Sequence, residues 1–538
     1  MHSPSSSHPR PALVNRTNVS GHDNSQGVAF GLATPQASGR KRPHRHLDEP
    51  EKKRLKLDVK IKEVFDDSDS DSPENAKVQF SVYEPELCPP LPLRLRDTRH
   101  SFVSSHKADM FKCHSTSSSS YMTIPYSCAY SYGAKWGGTP LLAVATEQGS
   151  VHILDTSKRQ EWDIDISQRA TFHPHANGIF DVKWSPSDTL IATASGDHST
   201  RITSLASSVL SEHKTLHVLR GSSGTVKCIA WDPLKDGTVL CTGGRDGSIC
   251  VWDLRVSEGR GRDEVETGSI APVIVIPNAH GAPSKPKGRK GKLAPAAPLR
   301  SITSLVYPEG NPYCVVSSGS FDGILRQWDF RLPSESTTTK KTKKVPKGPP
   351  KPVCMSSTDP TTYRGTRRMR GITSITVGHG LSAGLLFGLG TDSRVHTYQL
   401  PSLEPLSGYA PEGDDSWAYT HVNMQTNSFY VRGAMSPCGR WLASGGTANG
   451  RAFLFDVGTT ASAGRAMLGG YAHTRVPIAV ELHGHMGEVG ALDWAQDMLA
   501  TCADDATVRV WRPDVDVRQR CAEDGEAMRW QWSWAGMA

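Results

Sequence analysis

The sequence of 538 residues lacks the features of several common protein classes. It has no run of about 18 apolar residues, so no transmembrane helix is predicted. Its first ten residues, MHSPSSSHPR, lack the apolar core of a secretory signal. The eleven cysteines are scattered without a CxxC pair or a cysteine–histidine cluster, which argues for reduced intracellular thiols and against a zinc site. With no phosphate-binding loop and no metal-ligand spacing either, we expect a protein without cofactor, metal or catalytic residues, whose function lies in its surfaces.

A short hairpin motif repeats along the chain. It is clearest at 241–255, CTGGRDGSICVWDLR, where Asp246-Gly247 joins two strand-like runs and Trp252-Asp253 ends the second. Six other copies share this frame, and their turn residues are Gln148, Asp197, Asp322, Asp392, Asn449 and Asp505. Repeats of this length with Gly-His and Trp-Asp dipeptides are typical of WD40 blades. The seven copies therefore predict an all-β, seven-bladed WD40 β-propeller.

The repeat and the composition divide the chain into three regions. The first region is rich in serine, proline, histidine and charge and predicts a disordered N-terminal extension. The predicted boundaries are 1–100 for this extension, 105–515 for the propeller with basic insertions at 256–300 and 332–370, and 516–538 for a short C-terminal tail.

Two structural contacts are predicted within the ring. The segment at 102–113 is expected to supply a strand that pairs with the last blade, because ring closure removes exposed sheet edges. His485 and Asp505 are expected to pair inside that blade, where the carboxylate accepts the imidazole proton and orders the turn. Both roles are structural.

The extension carries two basic clusters and one acidic stretch. The clusters have the spacing of a bipartite nuclear-localisation signal, although a solvated charge run is the alternative. Their residues are Lys41, Arg42, Lys52, Lys53, Arg54 and Lys56. The acidic stretch at 65–74, FDDSDSDSPE, places Ser68, Ser70 and Ser72 among carboxylates, a pattern that suits acid-directed and proline-directed kinases. We therefore expect a nuclear protein.

Both insertions are basic, and WD40 geometry places their basic ends on one face. The links from an outer strand to the next inner strand open on what we call the top face, and the links after Trp-Asp open on the bottom face. The cations concerned are Lys285, Lys287, Arg289, Lys290, Lys292, Arg364, Arg367 and Arg368. Such a surface suits DNA phosphates or an acidic protein, and two merely solubilising loops are the alternative.

Two consecutive blades end in the same sequence, Trp-Asp-x-Arg (WDxR). An arginine after Trp-Asp is not needed by the blade, and its planar fork on the bottom rim suits a partner's carboxylates or carbonyls. The pair resembles the motif by which substrate receptors of cullin-4 ubiquitin ligases dock on their triple-propeller adaptor. That resemblance assigns adaptor binding to Trp252, Asp253, Arg255, Trp328, Asp329 and Arg331.

Longer segments resemble the denticleless family. They are HANGIFDVKW, CTGGRDGSICVWDLR, NAHGAPSKPKGRKGKLAP, SGSFDGILRQWDFR and SFYVRGAMSP. The resemblance implies a non-catalytic substrate receptor of a cullin-4 ubiquitin ligase, which recruits replication-linked proteins such as the licensing factor when their degron is bound to the PCNA clamp. The expected partners are the triple-propeller adaptor, cullin-4, clamp-bound substrates and, through the basic loops, DNA. A nuclear chromatin-binding or histone-binding WD40 scaffold without a ligase is the alternative.

Nuclear import through the two basic clusters is testable in cells. Replacing Lys41, Arg42, Lys52, Lys53 and Arg54 by alanine should leave a fluorescently tagged chain in the cytoplasm, because importin recognition requires both clusters. Confocal imaging of the tagged variant measures this directly. An unchanged nuclear signal would exclude this role for the clusters.

Overall fold

The structure is a computed structural model, and it describes the chain from His100 onward with several gaps. The described residues are 100–118, 120–158, 170–205, 215–256, 269–281, 300–308, 311, 313–331, 351–363, 368–406, 417–458 and 479–536. All of them belong to one compact unit, Ala33–Ala538. The predicted N-terminal extension, with its basic clusters and acidic stretch, lies outside the described residues.

The first five blades are antiparallel meanders in which each strand pairs with the next along the chain. Blade 1 comprises β3 (Pro125–Tyr130), β4 (Leu141–Thr146), β5 (Val151–Asp155) and β6 (Ala170–Phe172). Blade 2 comprises β7 (Ile179–Trp184), β8 (Leu190–Ser195), β9 (Ser199–Ser204) and β10 (Thr215–Arg220), with β14 (Ser269–Ile270) added in parallel. Blade 3 comprises β11 (Val226–Trp231), β12 (Val239–Gly244), β13 (Ile249–Asp253) and β15 (Ile274–Ile276). Blade 4 comprises β16 (Ile302–Val306), β17 (Cys314–Gly319), β18 (Arg326–Asp329) and β19 (Cys354–Met355). Blade 5 comprises β20 (Ile372–Val377), β21 (Leu385–Gly390), β22 (Val395–Gln399) and β23 (Glu404–Pro405).

Blades 6 and 7 are joined into one ten-stranded sheet. Blade 6 comprises β24 (Gly433–Met435), β25 (Trp441–Ser444), β26 (Arg451–Asp456) and β27 (Val480–His483). Blade 7 comprises β28 (Val489–Trp494), β29 (Leu499–Ala503) and β30 (Thr507–Pro513), with β1 (Phe102–Ser105) and β2 (Met110–Lys112) as its outer strands. The remaining elements are the helices α1 (Val515–Glu523) and α2 (Gly525–Met528), the strand β31 (Trp532–Gly536) and three 3-10 turns at Gly133–Trp136, Pro360–Thr362 and Gly380–Ser382. No helix in this described part of the chain is long and apolar enough to cross a membrane.

The inner strands close into a ring of seven. Each blade's first strand lies beside the first strand of the next blade, and β28 lies beside β3. The seven-bladed all-β propeller predicted from the repeats is therefore confirmed.

The two ends of the described chain seal the junction between blades 6 and 7. β1 pairs antiparallel with β30, so that Phe102 lies opposite Pro513, and β2 extends the same edge. The segment at 102–113 thus supplies the closing strand. β31 then pairs with β1 on one side and with β27 on the other. Residues predicted to form only a short tail therefore fill the sheet between two blades, where they cover two strand edges.

The small residues of the second strands follow from burial on both sides. Blades pack face to face, and one apolar cluster holds Cys241 and Ile249 of blade 3 together with Ile302 and Trp328 of blade 4. A Cβ built at Gly243 would lie 2.6 Å from the Cγ2 atom of Ile302. Only a glycine allows this approach, which explains the run VLCTGG.

Histidine–aspartate pairs connect blades at the top face. His485 Nδ1 lies 3.1 Å from Asp505 Oδ2, as predicted, and His175 Nδ1 lies 2.8 Å from Asp197 Oδ2. Burial opposes ionisation of both aspartates, but the hydrogen bonds from the histidines outweigh it and lower the pKa of each carboxyl. These contacts order the hairpin turns.

Blade 4 departs from this arrangement. Its turn aspartate, Asp322, pairs with Arg300 at 3.3 Å, whereas His280 bonds through Nε2 to the Ser317 hydroxyl at 2.8 Å. Burial, together with the charges of Arg326 and Arg300, lowers the pKa of His280 to about 3. The imidazole is therefore neutral in the folded protein at any pH above that value.

The buried His280 predicts a pH-dependent stability. Between about pH 6.5 and 3 the unfolded chain binds a proton at His280 that the folded chain does not, so the free energy of unfolding should fall as pH falls, by about 1.4 kcal/mol per pH unit. In His280→Gln, the contribution of His280 to the pH dependence of the unfolding free energy should be absent. Thermal melting of the parent and of the variant from pH 7 to 4 measures this contribution. Identical pH dependence of the two would contradict the assignment.

Candidate functional site

The two WDxR sequences lie on the same face of neighbouring blades. In blade 3, β13 ends at Asp253, which is paired with Val239 at the start of β12. In blade 4, β18 ends at Asp329, which is paired with Cys314 at the start of β17. In an antiparallel meander, successive links alternate between the two faces of the ring. The link after the third strand therefore lies on the same face as the link between the first and second strands, which is the bottom face.

The tryptophans of both motifs belong to the core. Trp252 and Trp328 are each 2% exposed. Their indole N–H groups donate to Thr242 Oγ1 at 2.9 Å and to Ser317 Oγ at 2.8 Å. Because both rings are enclosed by the blades, a partner on this face would reach the arginines and not the indoles, and adaptor binding by the two motifs stays a prediction. The role of the two indoles is to anchor the ends of the third strands.

The arginines are exposed and held in a fixed orientation. In Arg255, Nε donates to Asp253 Oδ1 at 2.9 Å and one terminal nitrogen to Oδ2 at 2.6 Å. Arg331 makes the same two-point contact with Asp329. The side chains of Arg255 and Arg331 are 61% and 60% exposed, and the arginine hydrogen bonds lower the pKa of each aspartate. Each aspartate thus orients an arginine whose remaining N–H groups face solvent.

Two residues that the sequence reasoning missed lie near the motifs. Tyr313, 46% exposed, has the guanidinium carbon of Arg331 at 5.5 Å from its ring centroid and the Lys235 ammonium at 6.0 Å. After the hydrogen bonds from Arg255, the charge of Lys235 also helps to lower the pKa of Asp253. Lys235 of blade 3 and Tyr313 and Arg331 of blade 4 therefore lie close together across the blade junction, near the end of the first motif.

Exposed apolar side chains complete this surface. We call the set the WDxR patch, and its residues are Leu234, Lys235, Arg255, Val256, Tyr313 and Arg331. Tyrosine and arginine are the residues most often found at the energetic centre of protein interfaces. The sequence carried a partial signal, since Lys235 and Tyr313 lie in the links between first and second strands, but only the structure shows that they meet.

Of the predicted basic surface, only part is described. Arg368 is exposed in the link between blades 4 and 5, which opens on the top face. The other predicted cations, Lys285, Lys287, Arg289, Lys290, Lys292, Arg364 and Arg367, lie outside the described residues, as do the nuclear-localisation residues. Their placement stays a prediction.

Comparisons with known proteins agree with the WD40 repeat and with the denticleless resemblance. The WD40 family model (WD domain, G-beta repeat) matches residues 166–204, 213–253 and 476–512. Denticleless protein homolog A of Xenopus laevis is 28% identical over 417 residues, which cover 75% of this chain and 49% of that protein. Protein lethal(2)denticleless of Drosophila melanogaster is 27% identical over 391 residues (70% and 43%), and the denticleless protein homolog of Homo sapiens is 26% identical over 407 residues (72% and 46%).

The chain is therefore similar to WD40 proteins of the denticleless family. It spans about half the length of the known relatives that it matches. The segment SFYVRGAMSP contains a residue that lies at the centre of the propeller. Arg432 is fully buried and reaches from blade 6 to blades 1 and 2, where it donates to Ser127 Oγ at 2.9 Å and to the Phe180 carbonyl at 2.6 Å.

This contact crosses the ring. The same guanidinium lies 3.3 Å from Asp181 Oδ1, whose second oxygen accepts the backbone N–H of Ile229 in blade 3 at 3.0 Å. Three aromatic rings, Tyr126, Phe180 and Tyr430, pack together above it. In this propeller, Arg432 is therefore a structural residue, whereas the exposed Arg255 and Arg331 are accessible to a partner.

Exposed and buried arginines should differ in their effect on stability. Arg255→Ala combined with Arg331→Ala should leave the melting temperature within about 2 °C of the parent, because exposed ion pairs contribute little. Arg432→Met should destabilise the fold by about 3–5 kcal/mol, because it removes a buried cation from beside Asp181. Thermal melting of the two variants measures the difference. A large drop in the melting temperature of Arg255→Ala with Arg331→Ala would show that these two arginines stabilise the fold.

Proposed function

We propose that this chain is the substrate-recognition subunit of a cullin-4 ubiquitin ligase. The observation that carries the proposal is the WDxR patch, in which two exposed arginines on neighbouring blades are oriented by their own aspartates, with Tyr313 and Lys235 close together across the blade junction. The resemblance of both motifs to those of cullin-4 receptors supports an adaptor propeller as the partner of this face. The patch has the arginine and aromatic anchors of a protein interface.

The opposite face is the one we assign to substrates. Replication-linked proteins bound to the PCNA clamp on DNA, the licensing factor among them, are the substrates that the denticleless resemblance implies. Exposed Arg368 and the basic sequence at 282–300 support engagement of a target on DNA through its phosphates. The chain itself contributes no chemistry, since its role is to hold the substrate near a ligase that transfers ubiquitin.

A nuclear chromatin or histone scaffold is the competing function. Both functions need a propeller and nuclear entry, so they differ in their partners. Affinity purification of the tagged full chain should recover cullin-4 and its adaptor in amounts comparable to the bait. Recovery of histones without either ligase subunit would favour the scaffold.

Loss of the two arginines should abolish adaptor binding. Truncating an interface hot spot typically lowers affinity by about thirtyfold or more, so Arg255→Ala with Arg331→Ala should weaken adaptor binding at least that much. Titration of purified adaptor by calorimetry measures the affinity, and substrates should persist through S phase in cells that carry the variant.

The matched control is Arg520→Ala, an exposed arginine on α1 outside the WDxR patch. It should bind adaptor as the parent does. If the double variant melts like the parent and still captures adaptor at the parental affinity, the proposed contact is wrong.

A further inference from the structure

A second exposed patch lies on the top face of blade 4, away from the WDxR patch. Its centre is Phe321, 44% exposed, in the turn between β17 and β18. The guanidinium carbon of Arg300 lies 3.9 Å from the centroid of this ring, and Arg300 is held there by Asp322 and by the His280 carbonyl, each at 3.3 Å. The cation therefore lies against one side of the aromatic ring in a fixed position.

The link from blade 4 to blade 5 extends this patch. A Cβ built at Gly371 would lie 2.4 Å from the backbone of Ser320, and one at Gly323 would lie 2.5 Å from Asp359. The link is thus packed closely on the turn that bears Phe321. It presents Tyr363 and Met369, both exposed, and the exposed Arg368. We call Arg300, Phe321, Tyr363, Arg368 and Met369 the Phe321 patch.

The charges around the patch favour an acidic ligand. The carboxylate of Asp322 is taken up by Arg300, and Asp359 accepts the N–H and the hydroxyl of Thr361 at 2.9 and 2.7 Å. Asp359 keeps its negative charge, since one of its carboxylate oxygens has no hydrogen-bond partner among the described residues. The exposed Arg368 and the half-buried Arg370 outweigh this one acid. A ligand that fits would carry one large apolar side chain beside several carboxylates.

One segment of the chain itself has this chemistry. Residues 64–72 read VFDDSDSDS, so that an apolar pair is followed at once by four aspartates and three serines. Residues 73–99 separate this stretch from His100, and 27 residues can extend to about 90 Å. The tether has to pass from β1 at the bottom face of blade 7 to the top face of blade 4, three blades away in the ring, and this contour length sets the limit of its reach.

We propose that the segment at 64–72 occupies the Phe321 patch in cis. Phe65 lies against Phe321 and Met369, and the aspartates that follow it lie along Arg368. A substrate or DNA that uses the top face must then displace the segment. Phosphorylation of Ser68, Ser70 or Ser72 would add about −1.5 to −2 charges at each site and strengthen the contact.

The test uses the full chain and a labelled synthetic peptide of residues 62–76. In the altered chain, Phe65→Ala is combined with asparagine at Asp66, Asp67, Asp69 and Asp71. A tethered segment has an effective concentration of about 1 mM, so a peptide with a Kd of about 0.1 mM should bind the parent about tenfold more weakly than the altered chain. Fluorescence anisotropy measures both affinities. Equal binding to the two chains, or no binding to the altered one, would overturn the proposal.

Two further variants locate the contact. Arg368→Glu and Phe321→Ala, each added to the altered chain, should weaken peptide binding about tenfold, whereas Arg520→Glu should leave it unchanged. Melting curves check that Phe321→Ala folds, and Arg368 is exposed enough that its replacement should not disturb the blade. A triply phosphorylated peptide should bind more tightly than the unmodified one. If a scrambled peptide of the same composition binds equally well, the contact is electrostatic attraction in which Phe65 has no specific binding position, and the proposal fails.

Discussion

Closure of the ring through β1 is the contact on which the rest of the structure depends. The strands are short, and none of the blades could bury both of its faces alone. The pairing of Val103 with Arg512 of β30, and the packing of Phe102 edge-on to Trp494 at 5.8 Å, join the start of the described chain to the last blade. β31 then pairs with both β1 and β27, so the junction between blades 6 and 7 is held by three strands from distant parts of the sequence. Closure adds the last blade to the ring and so leaves every blade packed between two neighbours.

Two buried ion pairs organise the polar interior. Lys135 lies 2.9 Å from Asp493, with side-chain exposures of 5% and 2%, and Arg432 lies beside Asp181 at the centre. A buried charge without such a partner would cost several kcal/mol. These pairs add specificity to a fold whose apolar contacts are similar from blade to blade. Burial and pairing with Asp181 make Arg432 structural, whereas Arg255 and Arg331 are exposed on the bottom face.

The antiparallel meander separates stability from function. The strands supply the inter-blade cores, and the links emerge in two sets on opposite faces. The bottom links bring together the WDxR patch from blades 3 and 4, and the top links bring together the Phe321 patch from blade 4 and the link that follows it. Partners on the two faces could therefore be bound at once by the same ring, as the receptor function that we propose requires.

The sequence alone determined the blade count, the small-residue second strands, the contact of His485 with Asp505, the closing strand at 102–113 and the position of Arg255 and Arg331 after Trp-Asp. These features follow from local rules, because a turn residue, a strand period and a six-residue spacing are all read within one repeat. Only the tertiary structure decided that Trp252 and Trp328 are enclosed, that Tyr313 and Lys235 lie close together across the blade junction, that Arg432 crosses the ring and that β31 enters the sheet. Each of these contacts joins residues from different blades or strands, and no local pattern encodes them. They depend on the distance and orientation between blades, which closure of the whole ring sets.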